Sequence, residues 1–286
     1  MSTSAYDVLL PDRNRSCVVF ASPHSGRRYD AAFLKASALD EHTIRSSEDA
    51  FVDELFDCAP EFGAAFIKAG MPRAYVDLNR SADELDPALI EGVRRVGHNP
   101  RVASGLGVIP RVVANGRAIY QGKLPLREAH YRIEAYWRPY HAKLQRLLDA
   151  AYQRHGQAVL LDCHSMPHEA MDGVARSGVA RPNVVLGDRF GAAASGDVVD
   201  RIEDAFRAAG FTVARNAPFA GAYVTQAYGR PSRGQHAVQV EIDRSLYMDE
   251  ERIRPNLDFA AIQEALRQVV AEVARIGEGR VPLAAE

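Results

Sequence analysis

Two short apolar runs that each stop at a histidine constrain this chain more than any other feature of it. Val159-Leu160-Leu161 leads through Asp162-Cys163 to His164, and Ser165-Met166-Pro167 then ends the element. Val18-Val19-Phe20 leads likewise to Ser22-Pro23-His24-Ser25-Gly26. Uniformly apolar runs of this length, bounded by turn residues, read as strands buried on both faces, the kind found in parallel sheets under helices. Each histidine then stands where a buried strand opens onto a loop. Strand ends fix ligand positions and loops leave one coordination place open, which is what a catalytic metal site in an α/β protein needs. The plain alternative for either histidine is a surface or satisfied core residue; the repetition of the pattern favours the metal.

Apolar runs and helical patterns alternate along the whole chain. Strands are expected at Cys17–Ala21, Ala64–Ala69, Tyr75–Leu78, Ala158–Cys163, Asn183–Leu186, Thr212–Ala214, Tyr223–Ala227 and Ala237–Asp243, and helices at Glu48–Cys58, Pro125–Arg154, Asp197–Ala209 and Asp258–Ile276. Pro125 suits a first helical turn, and Pro139 should kink or divide the long central helix. Ser195-Gly196-Asp197 should start the next helix and Gly210 close it. The reading is an α/β fold, a single domain over residues 1–286 with a mixed, mostly parallel sheet and helices on both faces. Pro87 to Gly122, rich in glycine, proline and arginine and poor in periodicity, reads as a long surface excursion able to cover an active site.

A formal net charge of -2 gives no reason to expect nucleic acid or an acidic membrane as partner. No apolar run is long enough to span a bilayer, and Met1 to Asp12 lacks the basic and apolar regions of a signal peptide. Cys17, Cys58 and Cys163 cannot all pair and fit no thiolate metal cluster, so a reducing cytoplasm is expected. Oligomeric state is left open.

Three further clusters carry chemistry. Ser46-Ser47-Glu48-Asp49-Ala50-Phe51-Val52-Asp53 offers Asp49 and Glu48 as carboxylate ligands, although a capped helix start with acidic first-turn residues would look the same. Arg73-Ala74-Tyr75-Val76-Asp77-Leu78-Asn79-Arg80 offers guanidinium forks for a carboxylate, with Asp77 able to hold one from behind; the plain alternative is a strand end with solvated arginines. In Ala237–Arg244, alternation sets Gln239, Glu241 and Asp243 on one face. That face is either wetted by solvent or lines a cleft, and in a cleft Glu241 suits the base that deprotonates an attacking water.

Taken in order, Pro23-His24-Ser25-Gly26, Arg73 through Arg80, Asp162 through Pro167, and Gln239-Val240-Glu241-Ile242 with Tyr247 following resemble the N-formylglutamate amidohydrolase family. The resemblance runs from about residue 18 to about residue 250. It implies a phosphorylase/hydrolase-like core similar to zinc carboxypeptidases and aspartoacylases, whose substrate-carboxylate motif the Asp77-Leu78-Asn79-Arg80 run also resembles. It implies one zinc ion held by His24, His164 and a third ligand in the acidic segment, at Asp49 with Glu48 as competitor. Arg73, Asn79 and Arg80 fall where the substrate carboxylate is held, Arg73 also as an oxyanion donor, and Glu241 falls at the catalytic glutamate. For a second carboxylate Arg244, Arg111, Arg230 and Arg233 are open, and His236 is either a polar contact or structural.

The expected activity is zinc-dependent hydrolysis of N-formyl-L-glutamate, or of a similar N-acyl acidic amino acid, to formate and glutamate, closing a histidine-degradation route. Its rivals are a carboxypeptidase or other deacylase on the same scaffold and, outside enzymes, a protein that binds an acidic metabolite through its arginines.

Overall fold

The computed structural model describes residues 4–94, 99–173 and 181–278. Its main sheet has seven strands: β1 Tyr6–Leu9, β2 Val18–Ser22, β3 Ala65–Ala69, β4 Ala158–Met166, β5 Val184–Gly187, β6 Val213–Arg215 and β7 Gln235–Asp243, in the order β1-β3-β2-β4-β7-β5-β6. β4 runs parallel to both β2 and β7, β5 is antiparallel to β7, and β6 is parallel to β5. The sheet is therefore mixed and mostly parallel. All nine residues of β4 are buried, which is why its sequence is an unbroken apolar run with polar groups only toward its exit.

The β4–β7 register places Asp162 beside Gln239 and His164 beside Glu241. Side chains two apart on a strand share a face, so these four polar groups stand on one face of two adjacent strands.

The chain divides into two compact units. The first gathers the chain up to Asp7, Pro23–Ala50 and Lys68–Lys143; the second gathers Val8–Ser22, Phe51–Ile67 and the chain from Leu144 onward. The second unit holds β2, β4, β5, β6 and β7, with helices Gly196–Ala208 and Phe259–Ala274 packed on each other. Within the first, Arg132 lies over the Tyr75 ring, 3.9 Å from its centroid, and donates to the Tyr120 hydroxyl. No helix among the described residues is long and apolar enough to cross a membrane.

Most expected elements form within two residues of their expected ends, and β4 runs on to Met166 so that His164 lies inside it. The helix at Gly196–Ala208 is followed by Gly210 at φ +92°, a conformation that costs glycine nothing. Other elements differ. Tyr75–Leu78 is a turn and an irregular run, because Tyr75 and Val76 N–H both go to the Pro72 carbonyl and Asp77 N–H goes to Val108 O. Tyr223–Tyr228 is a helix instead of a strand. Val224, Thr225 and Tyr228 are its buried residues, a helical spacing, and it packs against β4 and β7; that packing outweighs the β-propensity of Tyr, Val and Thr.

The Glu48–Cys58 helix shrinks to Val52–Leu55, since Asp49 N–H is taken by His24 O and Phe51 sits at φ 66°. β1 was not expected from its short polar-apolar sequence. Pro87–Gly122 is no surface excursion over its described residues: Leu89, Ile90, Val108, Ile109 and Ile119 are buried at 0–2% exposure. The central helix starts at Leu126, one residue after Pro125, and Pro139 does not divide it. A π turn over Ile133–Trp137, closed by Arg138 N–H on Ile133 O, precedes the proline; widening the helix there accommodates a residue with no N–H to give.

Candidate functional site

β2 ends at Ser22, and Pro23 turns the chain into His24, which is 2% exposed. Its Nε2 stands 2.7 Å from Asp77 Oδ1 and its Nδ1 3.3 Å from Asp49 Oδ2. The backbone reinforces this, because Asp49 N–H donates to the His24 carbonyl at 3.1 Å. Two donors on one tetrahedral zinc, each at about 2.0–2.1 Å, lie roughly 3.3 Å apart. Nδ1 and Oδ2 already have that spacing, and a carboxylate behind the other ring nitrogen is the usual backing of a metal-bound histidine. The donor set fits a divalent ion.

Glu48 is buried too, but its carboxylate is clasped by Arg45, with Nε and Nη2 each 3.0 Å from one oxygen. Of the two neighbouring carboxylates, the structure brings Asp49 to His24 and sends Glu48 to Arg45. Two residues past His24, Gly26 lies against the Met71 backbone, where any added Cβ would collide with the Met71 carbonyl oxygen. Gly26→Ala is expected to lower stability by about 1–3 kcal/mol, the usual range for overpacking, seen as a lower urea midpoint at unchanged slope; a midpoint equal to the parent's would show that this turn yields.

Asp77 is the hub of the arginine loop. Oδ1 accepts from His24 Nε2 and from Asn79 N–H at 2.8 Å, and Oδ2 accepts from Arg73 Nε at 3.1 Å. Burial opposes its charge, yet its pairing with His24 and the guanidinium groups of Arg73 and Arg80 hold its carboxyl well below the usual range. Arg80 is 5% exposed, with Nε on Leu106 O at 3.0 Å and Nη1 on Asn79 O at 3.4 Å; Glu84 Oε2 stands 3.9 Å away. Desolvation draws its pKa below the arginine norm. Three side chains of the long helix hold this loop from outside: Arg132 Nη1 donates to Tyr75 O (3.1 Å), His141 Nε2 to Leu78 O (2.9 Å) and Trp137 Nε1 to Arg80 O (2.9 Å).

In the second unit, His164 Nε2 faces Asp162 Oδ2 at 2.9 Å, again a carboxylate backing a histidine. On the adjacent strand Glu241 Oε1 accepts from Gln239 Nε2 at 2.7 Å, and Gln239 Oε1 accepts from Ala222 N–H at 3.1 Å. Gln239, Glu241 and Asp243 are all buried at 3–8% exposure, so this strand face is not wetted by solvent. Arg244, buried at the turn after β7, donates from Nε to Ser165 Oγ at 3.1 Å.

Of the other arginines, Arg111 is paired with buried Asp86 at 2.8 Å. Arg230 and Arg233 precede β7, six residues or about 20 Å of strand before Glu241 at 3.3 Å per residue. His236 Nδ1 accepts from Ser195 N–H at 3.2 Å. Arg132, Trp137 and His141 escaped the sequence reading, as did His168, whose Nδ1 meets Asp243 Oδ2 at 2.8 Å.

A family model described as N-formylglutamate amidohydrolase matches residues 16–248. An N-formylglutamate deformylase of Pseudomonas aeruginosa is 31% identical over 275 residues, covering 93% of this chain and 94% of that relative. One from Pseudomonas putida is 30% identical over 250 residues, covering 85% and 86%. A crystal structure of an N-formylglutamate amidohydrolase from Ralstonia eutropha matches with a TM-score of 0.89 at 35% identity, over 96% of this chain and 98% of that one. A gene product of Agrobacterium tumefaciens shares the fold at a TM-score of 0.64 and 17% identity, over 95% of each chain.

Proposed function

The chain belongs to the N-formylglutamate amidohydrolase family and is an amidohydrolase, and from that premise we propose that it hydrolyses N-formyl-L-glutamate to formate and glutamate with one zinc ion. The proposed ligands are His24, Asp49 and His164, buried residues that each offer one donor atom. Bound there, the ion would supply Lewis acidity at the formyl carbonyl and lower the pKa of water. Glu241 takes the proton of the attacking water and returns it to the amine as the C–N bond breaks. Arg73, oriented by Asp77, donates to the carbonyl oxygen as charge develops on it. Arg80 and Asn79 hold one substrate carboxylate and Arg244 the other.

One observation carries the substrate class furthest. Arg80 is a buried guanidinium whose hydrogen bonds run to backbone carbonyls, with the charges of Asp77 and Glu84 near it and Glu84 Oε2 at 3.9 Å. A desolvated fork bonded in this way suits an anionic ligand that pairs with it directly. The names of the similar deformylases support N-formylglutamate as that ligand. The same reading puts the enzyme at the end of a histidine-degradation route, and the buried thiols Cys17, Cys58 and Cys163 support a cytoplasmic location.

The test is formate release from N-formyl-L-glutamate by purified protein, before and after chelation and with zinc restored. Release that stops on chelation and returns with zinc is expected. A zinc-loaded protein that releases no formate would refute the substrate, and release indifferent to chelation would refute the metal.

A further inference from the structure

The long helix that follows the arginine loop is not a uniform α-helix. Its π turn covers Ile133–Trp137, between α-helical segments Leu126–Arg132 and Arg138–His155. In a regular α-helix, residues five apart point about 140° away from each other, at 100° per residue. The π turn absorbs one extra residue, so Arg132 and Trp137 come to one side, and His141, four residues on, follows them. The three polar side chains make a single row of donors. Each meets a carbonyl of the loop Tyr75–Arg80, at Tyr75, Arg80 and Leu78, over 2.9–3.1 Å.

That loop has neither helical nor ladder hydrogen bonds for these carbonyls, and all three residues are buried. A buried carbonyl without a donor is costly, so the row specifies where the loop sits as well as satisfying it. His141 is suited to constant donation: burial lowers its pKa to about 4, so it stays neutral with its proton on Nε2. The Trp137 ring packs on it in a tilted arrangement, 4.1 Å between centroids and 39° between planes, so the two donors hold one another in place.

We infer that Trp137 and His141 are positioning residues that set the Asp77–Arg80 loop, and with it the affinity for the substrate's carboxylate. This rests on the reading of Arg80 given above. The π turn, on this account, is the device that puts both donors on the loop-facing side, a function in keeping with the frequent occurrence of π turns at functional sites.

The experiment uses the zinc-loaded full chain and the variants Trp137→Phe, His141→Leu, His141→Gln and Arg80→Ala. KM and kcat are read with N-formyl-L-glutamate, and amide hydrogen exchange is read over Tyr75–Arg80. Trp137→Phe and His141→Leu are expected to raise KM about tenfold each, the size of one lost buried hydrogen bond, with kcat within about twofold and faster exchange of the loop amides. His141→Gln, whose amide can still donate to Leu78 O, is expected to recover most of both. Unchanged loop exchange, or a Gln variant no better than Leu, would overturn the inference. If wild type does not turn over the substrate, or Arg80→Ala leaves KM alone, the reading of Arg80 fails instead, and the exchange and its rescue by Gln judge the positioning role by themselves.

Discussion

Glu241→Gln is expected to lower kcat about 10³-fold, within the usual range for a lost general base, while zinc content and melting temperature stay at wild-type values. The hydrogen bonds around the residue explain why the two effects should separate. Ala222 N–H fixes which end of the Gln239 amide is oxygen, so the Gln239 NH2 must point at Glu241 Oε1. Oε1 is therefore an acceptor, which leaves Oε2 as the proposed proton-accepting atom. A glutamine at 241 has the same shape and can present its own carbonyl to Gln239. It keeps that hydrogen bond and loses the capacity to take a proton. Turnover within about threefold of wild type, far from the loss expected of a missing base, would remove Glu241 from the chemistry. A fall in melting temperature alongside the loss would instead point to disrupted packing, which Glu241→Asp would then share.

The strand-borne residues were legible because their local sequence already carries the constraint. A run such as Val159–Leu161, bounded by turn residues, reads as a doubly buried strand, so the polar residues that end it call for a reason to be there, and β4 and β7 bear His164 and Glu241 side by side. Period-two alternation likewise put Gln239, Glu241 and Asp243 on one face, but whether that face met water depended on tertiary packing. Glu48 and Asp49 are adjacent and chemically alike, and nothing in their own segment ranks them. What separates them is the fork of Arg45 on Glu48, three residues away, and the His24 carbonyl on Asp49 N–H, 25 residues away.

Arg132, Trp137 and His141 were the least accessible. They serve carbonyls 57 to 63 residues back in the chain and look like ordinary members of an amphipathic helix. The one local sign was Pro139, which had to be accommodated somehow. A kink or a division of the helix was expected, and a π turn over Ile133–Trp137 stands just before the proline. Tyr223–Tyr228 failed for a different reason: a six-residue segment gives too few turns for helical periodicity to outvote β-propensity.

His24→Ala, His164→Ala and Asp49→Asn are each expected to abolish retention of zinc through desalting, and with it nearly all activity, whereas Glu48→Gln keeps the metal. Three protein donors make a catalytic zinc site, and removing one leaves too few to hold the ion against buffer. Glu48 answers to Arg45, so its variant should be read in stability instead. Asp77→Asn is the discriminating member of the series. Its carboxylate backs His24 Nε2, and such partners typically contribute 10–100-fold to metal affinity; the same residue also carries Arg73 on Oδ2 and the Asn79 amide on Oδ1. An amide cannot accept all three. Asp77→Asn should therefore weaken zinc by that factor and, even when saturated with zinc, keep a raised KM and a lowered kcat. Metal titration followed by kinetics at saturating zinc separates the two parts. Full recovery at high zinc would confine Asp77 to the metal, and normal zinc content in His24→Ala or His164→Ala would refute that residue as a ligand. Should Asp49→Asn retain zinc while Glu48→Gln loses it, the third ligand would be Glu48, and the 3.3 Å approach of Asp49 to His24 would be a hydrogen-bonding contact only.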